Sequence, residues 1–373
     1  MPFVIILVWV FLFCVSNYGF AGQVVKRFRA DGRDILVEQL TSGLGIPWGF
    51  DFIASSELVV TERQGNLWRV NFDSGKKTRL SGSPQVANVG QGGLLDVAVH
   101  PRFQRNKIIY MTYAANYKGS RTTQLASATL GGKALSNFKV LFTAKPPAAG
   151  YLHFGSRIAF DKNGHIFLTV GERGKRKLAQ DLSSHCGKVI RLNLDGSIPK
   201  DNPFFKDQLA QKEIWTLGHR NPQGLTINPK SGEIWAQEHG PQGGDEINII
   251  RKGRNYGWPQ ITYGREYSGP KIGATHKNGL EQPVYHFTPS IAPSGLTIYF
   301  GDKFPGWQGH IFSGAMKLTH INHLVVGPNN TILAEHRYLT DWGRRIRNIK
   351  TGPDGYIYFS TDNGEILRLR PET

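Results

Sequence analysis

The chain contains only two cysteines in 373 residues, Cys14 and Cys186. Cys14 lies in an N-terminal apolar segment, so Cys186 alone remains if that segment is removed. A mature chain with one cysteine has no internal disulfide, which excludes the small disulfide-stapled secreted domains. The cysteine and histidine spacing of a zinc site is also missing. The segment 320–323 (His-Ile-Asn-His) lacks the glutamate and helical context of a metalloprotease motif. The fold must therefore rely on its apolar core and on any metal it binds.

Long hydrophobic runs are missing except at the N-terminus. Residues 3–15 are almost all apolar, but a helix that crosses a bilayer needs roughly 20 such residues. Residues 1–21 carry no Lys, Arg, Asp or Glu and end with small residues at Gly19 and Ala21. This pattern predicts a signal peptide cleaved near Ala21 and a periplasmic or secreted protein without stable membrane insertion. Because no basic residue precedes the apolar run, an uncleaved anchor is the alternative. We expect residues 22–373 to form a single catalytic domain.

Acidic residues are few: 28 Asp and Glu against 45 Lys and Arg give a formal net charge of +17. Such an excess suits nucleic acid, an anionic surface or an anionic cofactor. The basic residues are scattered along the chain, and no nucleic-acid-binding motif accompanies them. We therefore predict no nucleic-acid partner. A generally basic solvated surface explains most of the charge.

Amphipathic helical stretches are scarce, whereas glycine (44 residues) and proline (20 residues) are abundant. Short β-rich segments recur instead, with turn residues between them. Six units at a spacing of roughly 40 to 60 residues indicate a radial β-sheet repeat. The sequence thus predicts an all-β fold, a six-bladed β-propeller with four-stranded antiparallel blades. A pair of β-sandwiches and a β-helix are the alternatives. The candidate inner strands are 48–53, 94–99, 158–160, 225–227, 296–300 and 346–349.

Several loops between these strands carry polar groups that a structural repeat does not require. The loops at one end of a propeller channel converge, so residues distant in sequence can form one site. These segments are 90–96 (Gly-Gln-Gly-Gly-Leu-Leu-Asp), 151–157 (Tyr-Leu-His-Phe-Gly-Ser-Arg), 218–224 (Gly-His-Arg-Asn-Pro-Gln-Gly), 238–246 (Glu-His-Gly-Pro-Gln-Gly-Gly-Asp-Glu), 255–259 (Asn-Tyr-Gly-Trp-Pro), 314–317 (Gly-Ala-Met-Lys) and 345–347 (Arg-Ile-Arg).

The residue types in these segments indicate a base and an anion site. A histidine such as His153 can act as a general base because its pKa lies close to working pH, although a lone histidine is more often structural. Arg345 and Arg347 are two residues apart, so on a strand both face the same side. With Arg220 and Lys317 they would bind a polyanionic ligand. The carboxylates and glycine-exposed carbonyls of 238–246 suit calcium, but their spacing is not that of an EF-hand.

In this order, the motifs resemble those of the soluble PQQ-dependent glucose/sorbosone dehydrogenase family, most closely its aldose sugar dehydrogenase branch (PQQ is pyrroloquinoline quinone). The resemblance runs from about residue 46 to the C-terminus. It implies oxidation of an aldose sugar at the anomeric carbon to the lactone, with hydride transfer to PQQ in the presence of calcium. It also implies an external electron acceptor.

The resemblance carries roles to individual residues. His153 matches the proton-accepting base, and Glu172 stands where the glucose-specific branch has an aspartate that assists this base. The implied PQQ contacts are Gln91, Arg220, Asn221, Tyr267, Ala315, Lys317, Arg345 and Arg347. The implied calcium ligands are the carbonyls of Gly240 and Pro241 at one site, and Glu246 and Tyr256 at another.

Two other functions fit a propeller of this kind. A calcium-dependent lactone or ester hydrolase would need an activated water at the metal but no Lys317, Arg345 and Arg347 cluster. A non-enzymatic binding propeller would retain the fold without the cofactor. The presence of His153, Arg220 and Arg347 favours the dehydrogenase.

Overall fold

The computed structural model describes residues 22–372, and nearly all of its regular structure is β. The exceptions are one short helix, α1 (Phe103–Asn106), and 3-10 turns at Arg176–Ala179, Pro305–Trp307 and Pro328–Asn330. Across these residues there is no helix with the length and apolar character needed to cross a membrane. The predicted signal peptide, residues 1–21, lies outside the described part of the chain.

The described chain begins with a hairpin of β1 (Gln23–Ala30) and β2 (Arg33–Thr41), and five four-stranded antiparallel meanders follow it. The first contains β3 (Pro47–Ala54), β4 (Glu57–Glu62), β5 (Leu67–Asn71) and β6 (Lys76–Leu80). The second contains β7 (Leu94–Val99), β8 (Ile108–Tyr117), β9 (Ser120–Leu130) and β10 (Leu135–Thr143). The third contains β11 (Ile158–Phe160), β12 (His165–Val170), β13 (Lys188–Asn193) and β14 (Ile214–Leu217). The fourth contains β15 (Pro222–Ile227), β16 (Ile234–Glu238), β17 (Asp245–Ile250) and β18 (Tyr285–Phe287). The fifth contains β19 (Pro293–Ile298), β20 (Ile311–Ala315), β21 (Ile321–Val326) and β22 (Ile332–Tyr338).

The sixth sheet joins the two ends of the described chain. It contains β23 (Ile346–Thr351), β24 (Ile357–Thr361) and β25 (Glu365–Pro371), followed by β2 and then β1. The Glu38 carboxylate on β2 accepts hydrogen bonds from Arg368 and Arg370 on β25, each at 2.7 Å. Pairing of an N-terminal with a C-terminal strand closes the ring and leaves no open sheet edge between first and last blade. β1 gives this blade a fifth strand.

The six inner strands form the ring, because each of β3, β7, β11, β15, β19 and β23 contacts the next and β23 contacts β3. The six segments predicted to be inner strands fall on these strands. The predicted all-β, six-bladed propeller is confirmed.

The apolar core lies between the blades. Within residues 22–372, one cluster of buried side chains fills each of the six interfaces between adjacent blades. Between the first and second blades, for example, Ile53 and Val59 pack with Leu94 and Val97. Each such side chain contributes roughly 1.5–3 kcal/mol when it is fully buried. Strands buried on both faces explain why β24 reads Ile-Tyr-Phe-Ser-Thr without alternation.

All six inner strands begin at the same end of the channel. Residues at or just before the starts of β3, β7, β11, β15 and β23 line one common cavity, together with residues from the turns that join second and third strands. We call this end the mouth, and the other end of the channel the opposite end. The fold therefore gathers the polar motifs of six separate loops at one place.

Candidate active site

A cavity at the mouth encloses about 530 Å³ of empty space, including its opening. Gln91, Asn221, Arg345 and Arg347, four of the residues predicted to form the site, line it. Its remaining walls are Trp48, Arg63, Leu95, Phe154, Gly155, Gln223, His239 and Met316. A concave pocket with apolar walls and a few convergent polar groups is the usual form of a cofactor or substrate site.

An arginine cluster forms one wall of this cavity. The Asp362 carboxylate accepts hydrogen bonds from Arg347 Nε at 2.7 Å, Arg347 Nη2 at 2.8 Å and Arg345 Nε at 2.8 Å. Arg345 also donates through Nη1 to the Met316 carbonyl at 3.1 Å. The two arginines were predicted to share a face. Asp362, which holds them in place, gave no signal in the sequence because only the fold brings it near them.

Arg63 is a third guanidinium of this wall, and the motifs did not indicate it. Its Nη1 donates to the Gly90 carbonyl at 2.8 Å, while its buried Nε has no hydrogen-bond partner within the described structure. Burial lowers the Arg63 pKa, and repulsion from Arg347 adds to this effect. Three guanidinium groups against one carboxylate leave the wall with an unbalanced positive charge. The cavity is therefore built for an anion.

A histidine–carboxylate pair forms another wall. His153 Nδ1 lies 2.9 Å from Glu172 Oε2, and both side chains are buried. Glu172 Oε2 also accepts the Gly174 backbone N–H, and the His153 backbone N–H donates to Gln91 Oε1 at 2.8 Å. A carboxylate that accepts from Nδ1–H leaves Nε2 as the nitrogen with a free lone pair. The structure thus joins His153 and Glu172, as the resemblance implies.

The His153 pKa is held below its ordinary value of 6.5. Burial is the largest cause, since it disfavours the imidazolium, and the Glu172 carboxylate opposes it. Nearby Arg220 and Arg173 lower the pKa further. The imidazole is therefore neutral at neutral pH and available to accept a proton.

Arg220 and Asn221 lie between this pair and the fourth blade. Arg220 Nη1 donates to the carbonyls of His239 at 3.0 Å and Gly240 at 2.8 Å. Asn221 Oδ1 accepts the Gly155 N–H at 3.1 Å, which ties it to the loop that carries His153. His239 lies in the cavity wall with Nε2 2.8 Å from the Pro293 carbonyl, and burial lowers its pKa to about 3.

Two carboxylates, the buried one of Glu238 and the half-buried one of Glu246, face each other beside Arg220. Glu238 on β16 pairs in register with Glu246 on β17, and both line a small cleft next to Gly240. Glu238 accepts from His219 Nδ1 at 2.8 Å and from the Arg220 N–H at 2.6 Å. Among residues 22–372, the Glu246 carboxylate accepts a single side-chain hydrogen bond, from Asn248 Nδ2 at 3.3 Å. Burial raises the Glu246 pKa to about 8, and the Glu238 charge adds to the rise.

Opposed carboxylates of this kind are unfavourable unless a proton or a cation lies between them. Oxygen donors are the ligands that calcium takes, and the cleft offers these carboxylates together with backbone carbonyls. Within residues 22–372, no three His, Cys, Asp or Glu side chains gather closely enough to hold a metal by themselves. A calcium ion here would therefore need main-chain carbonyls or water to complete its shell.

The other predicted calcium ligands lie near this cleft. The Gly240 carbonyl is already engaged by Arg220, and Pro241 follows it in the same turn. The Tyr256 phenol donates to the Ile249 carbonyl at 2.5 Å. Any contact of Tyr256 with a metal would thus use its backbone carbonyl.

Four of the eight predicted cofactor contacts lie outside the cavity wall, and one of them, Arg220, lines the neighbouring cleft instead. Tyr267 is 75% exposed, in a loop whose Glu266 carboxylate pairs with Arg176. The Ala315 side chain is fully buried in an apolar cluster between the fourth and fifth blades. Lys317 is exposed in the turn after β20, and its ammonium makes no ion pair with any other residue in 22–372. These three side chains could contact a bound cofactor only if the cofactor extended beyond the cavity or if their loops moved towards it.

Arg157 contacts residues that line the cavity and links five blades. From the third blade, its Nε donates to the Gln223 carbonyl at 2.8 Å and its Nη2 to the Arg347 carbonyl at 3.0 Å. Its Nη1 lies 3.2 Å from Asp96 Oδ1, and the guanidinium stacks 4.0 Å from the Trp48 ring centroid. It belongs to the His-Phe-Gly-x-Arg motif, yet the sequence alone gave it no role. Arg157 fixes the positions of the residues that it contacts.

Comparison with known proteins agrees with this geometry. Residues 44–368 match the family described as Glucose / Sorbosone dehydrogenase. The chain is 42% identical over 345 residues to an aldose sugar dehydrogenase of Escherichia coli strain K12, across 90% of this chain and 92% of that protein.

Two solved structures are similar as well. The soluble aldose sugar dehydrogenase from Escherichia coli in its apo-form has a TM-score of 0.86 and 40% identity, covering 91% of this chain and 99% of that one. The PQQ-bound form of an aldose sugar dehydrogenase from Streptomyces coelicolor has a TM-score of 0.75 and 25% identity, covering 91% and 98%. The resemblance read from the motifs is confirmed. The chain belongs to the glucose/sorbosone dehydrogenase family of oxidoreductases.

Proposed function

We propose that this protein oxidises aldose sugars at the anomeric carbon to the lactone, with PQQ as the hydride acceptor and calcium as the metal. The observation that carries the proposal is the arginine wall of Arg63, Arg345 and Arg347 beside a buried neutral histidine. PQQ has three carboxylates, and such a wall suits a polyanion. The PQQ-bound relative with the same fold supports this choice of cofactor.

His153 is the proposed base. Its Nδ1 hydrogen bond to Glu172 orients the ring and leaves Nε2 to accept the proton of the anomeric hydroxyl. When the imidazolium forms, the Glu172 carboxylate stabilises its charge. Glu172 is longer than the aspartate of the glucose-specific branch, yet it lies within 2.9 Å of the ring. Glu172 therefore positions His153.

Gln91, Asn221, Arg345 and Arg347 would hold the cofactor, since all four line the cavity. When bound, PQQ supplies the hydride acceptor and calcium supplies Lewis-acid polarisation of its reactive carbonyl. The carbonyls of Gly240 and Pro241 would hold the calcium that contacts PQQ, and Glu246 and Glu238, with nearby carbonyls, would hold a second calcium ion beside the cavity. This binding would relieve the repulsion between the two opposed carboxylates.

Three elements of the proposal rest on the sequence alone. We propose that residues 1–21 are a signal peptide and that the mature protein acts in the periplasm or outside the cell. We also propose that residues 22–373 form one catalytic domain, and that an external acceptor takes the electrons.

The test is dye-linked oxidation of several aldoses by purified apoprotein, with and without PQQ and calcium. The proposal expects activity only when both are added. A hydrolase would instead cleave lactones or esters with calcium alone, and a binding propeller would do neither. No oxidation of any aldose, together with no PQQ binding in an absorbance titration, would overturn the proposal.

A further inference from the structure

The proposed base belongs to a long loop that its own side chains anchor weakly. His153 lies in residues 144–157, which join β10 to β11. The side chains of Tyr151 and Leu152, directly before it, are 56% and 46% exposed. His153 itself has a left-handed backbone with a φ of 55°, a conformation that is unfavourable for a residue other than glycine. Neighbouring elements must therefore hold this part of the loop in place.

Arg173 binds the main chain of this loop. Its buried side chain comes from the loop between β12 and β13. Its Nη1 donates to the carbonyl of Leu152, the residue before His153, and its Nη2 donates to the Gly150 carbonyl at 2.7 Å. Among residues 22–372, these two carbonyls accept no other hydrogen bond. The main chain just before the base is thus held by one guanidinium.

The same guanidinium also contacts the residue after the base. Its Cζ lies 3.4 Å from the centroid of the Phe154 ring, which is a cation–π contact. Phe154 is buried and lines the mouth cavity. Burial lowers the Arg173 pKa to about 10, so the guanidinium remains charged at neutral pH. Arg173 therefore fixes the loop on both sides of the base.

Arg173 and its neighbour Glu172 act on different parts of His153. The Glu172 carboxylate lies 2.9 Å from the imidazole Nδ1 and orients the ring. Arg173 holds the main chain that carries the ring. Two consecutive residues of the third blade thus set both the direction of the imidazole and the place from which it extends.

We propose that Arg173 is a positioning residue, which holds His153 where it can take the proton of the sugar. The inference rests on the proposed function, because that function gives His153 a proton to accept. Arg173 acts through the loop, since its Nη1 and Nη2 bind carbonyls and its Nε is buried. A displacement of about 1 Å in a catalytic group can lower the rate by about 100-fold.

The test compares Arg173→Met and Arg173→Lys with a matched control at the opposite end, Arg191→Met. Arg191 is also a buried arginine, with its guanidinium 4.8 Å from the Trp215 ring centroid. Arg173→Met should lower kcat for aldose oxidation by about 10- to 100-fold, because the base is displaced. The affinity for PQQ should change little, since the arginine wall is intact. Arg173→Lys, which keeps the charge, should recover part of the loss, and Arg191→Met should retain nearly all the activity.

The pKa of the base gives a readout that a purely structural role would not move. The charged and titratable groups that face His153 are Glu172, Arg173, Arg220 and His239. The Arg173 charge lowers the His153 pKa, so Arg173→Met should raise it and move the acid limb of kcat/KM to higher pH. Arg173→Lys should leave the limb in place. Imidazole NMR of the apoprotein should show the same two results.

Hydrogen exchange of the mature apoprotein, measured by mass spectrometry, tests the hold on the loop without any turnover. Residues 149–154 should exchange faster in Arg173→Met than in the wild type or in Arg191→Met. If Arg173→Met does not fold, Arg173→Lys should still show a reduced kcat and faster exchange.

Equal losses of kcat in Arg173→Met and Arg191→Met would overturn the positioning role. So would unchanged exchange of residues 149–154 or an unmoved His153 pKa in Arg173→Met. Faster exchange and a raised His153 pKa, in a protein whose wild type oxidises no aldose, would instead overturn the proposed function. The hold of Arg173 on the loop would then still stand.

Discussion

The two ends of the channel are built from the same strands but differ in how their charges are used. At the opposite end, charges on the inner strands are matched, as when Lys350 of β23 pairs with Asp51 of β3 at 2.8 Å. Arg347 lies three residues earlier on β23, at the mouth. It shares the Asp362 carboxylate with Arg345, and Arg63 lies beside both. Matched pairs support the fold. The unmatched cluster implies a ligand, since like charges held close together at a partly buried site are costly without one.

Two histidine–carboxylate pairs make the same contrast. His165 Nδ1 lies 2.8 Å from Asp161 Oδ2 at the opposite end, much as His153 lies 2.9 Å from Glu172 at the mouth. His165 also contacts Arg191 through both ring nitrogens. His153 has no second side-chain partner within the described structure and lies beside the cavity. A pair of this kind therefore indicates a base only where one nitrogen is left free.

The largest expected effect is on catalysis, and it tests the comparison between the His153 and His165 pairs directly. His153→Ala should lower kcat for aldose oxidation by about 10²–10⁴-fold, because the proton acceptor is lost. His165→Ala should retain nearly all the activity. Steady-state kinetics with PQQ and calcium present would measure both variants. Equal losses in the two variants would mean that His153 has only a structural role.

The second effect concerns the arginine wall. Arg347→Met should weaken PQQ binding by about 10- to 100-fold, as expected when a charge-assisted hydrogen bond worth roughly 1.5–3 kcal/mol is removed. Lys350→Met, on the same strand at the opposite end, should leave the affinity unchanged. Absorbance titration of each apoprotein with PQQ measures the difference. Unaltered affinity in Arg347→Met would place the cofactor elsewhere.

The third effect concerns calcium and the opposed carboxylates. Calcium at about 100 times its dissociation constant should stabilise the wild-type protein by about 2.7 kcal/mol, seen as a rise in Tm of a few degrees. Glu246→Gln should abolish this rise, since it removes one of the two opposed carboxylates that would hold the ion. Glu233→Gln, in an exposed turn at the opposite end, serves as the control. A calcium-induced rise that persists in Glu246→Gln would contradict the assignment.

The smallest effect is a shift in pH dependence. The His153 pKa lies below 6.5, so kcat/KM should stay high as the pH falls through 6.5 and decline only at lower pH. Burial lowers this pKa and the Glu172 carboxylate raises it. Glu172→Gln removes the opposing effect, so the acid limb should move to still lower pH. Asp161→Asn, beside His165, should not move it. A shift to higher pH in Glu172→Gln would be inconsistent with this electrostatic account.

The sequence predicted the propeller well because each blade is formed almost entirely by strands that are close to one another in the sequence. Adjacent strands of a meander are near in sequence, so their turns and apolar patterns mark them. The fourth strand of the last blade, β2, gave no such signal. β2 pairs with β25 more than 300 residues away, through contacts such as Glu38 with Arg370. Nothing in either segment alone indicates its partner.

The site was predictable where a motif carries the chemistry. His153, Glu172 and Arg347 lie at the mouth, where the resemblance implies. Arg63 lies beside Arg347 of another blade, and Asp362 binds Arg347 from the turn after the neighbouring strand β24, so only the fold reveals them. The motif match also could not show where side chains point. The Ala315 side chain is buried in the core, and the exposed Tyr267 lies outside the cavity lining.

The most direct test of the account is a crystal structure of the protein soaked with PQQ and calcium. The account predicts density for the cofactor in the mouth cavity, with its carboxylates against Arg345 and Arg347 and its reactive carbonyl beside His153. It also predicts an anomalous calcium signal in the neighbouring cleft. Cofactor density at the opposite end, or a mouth cavity left empty at saturating PQQ, would contradict the account.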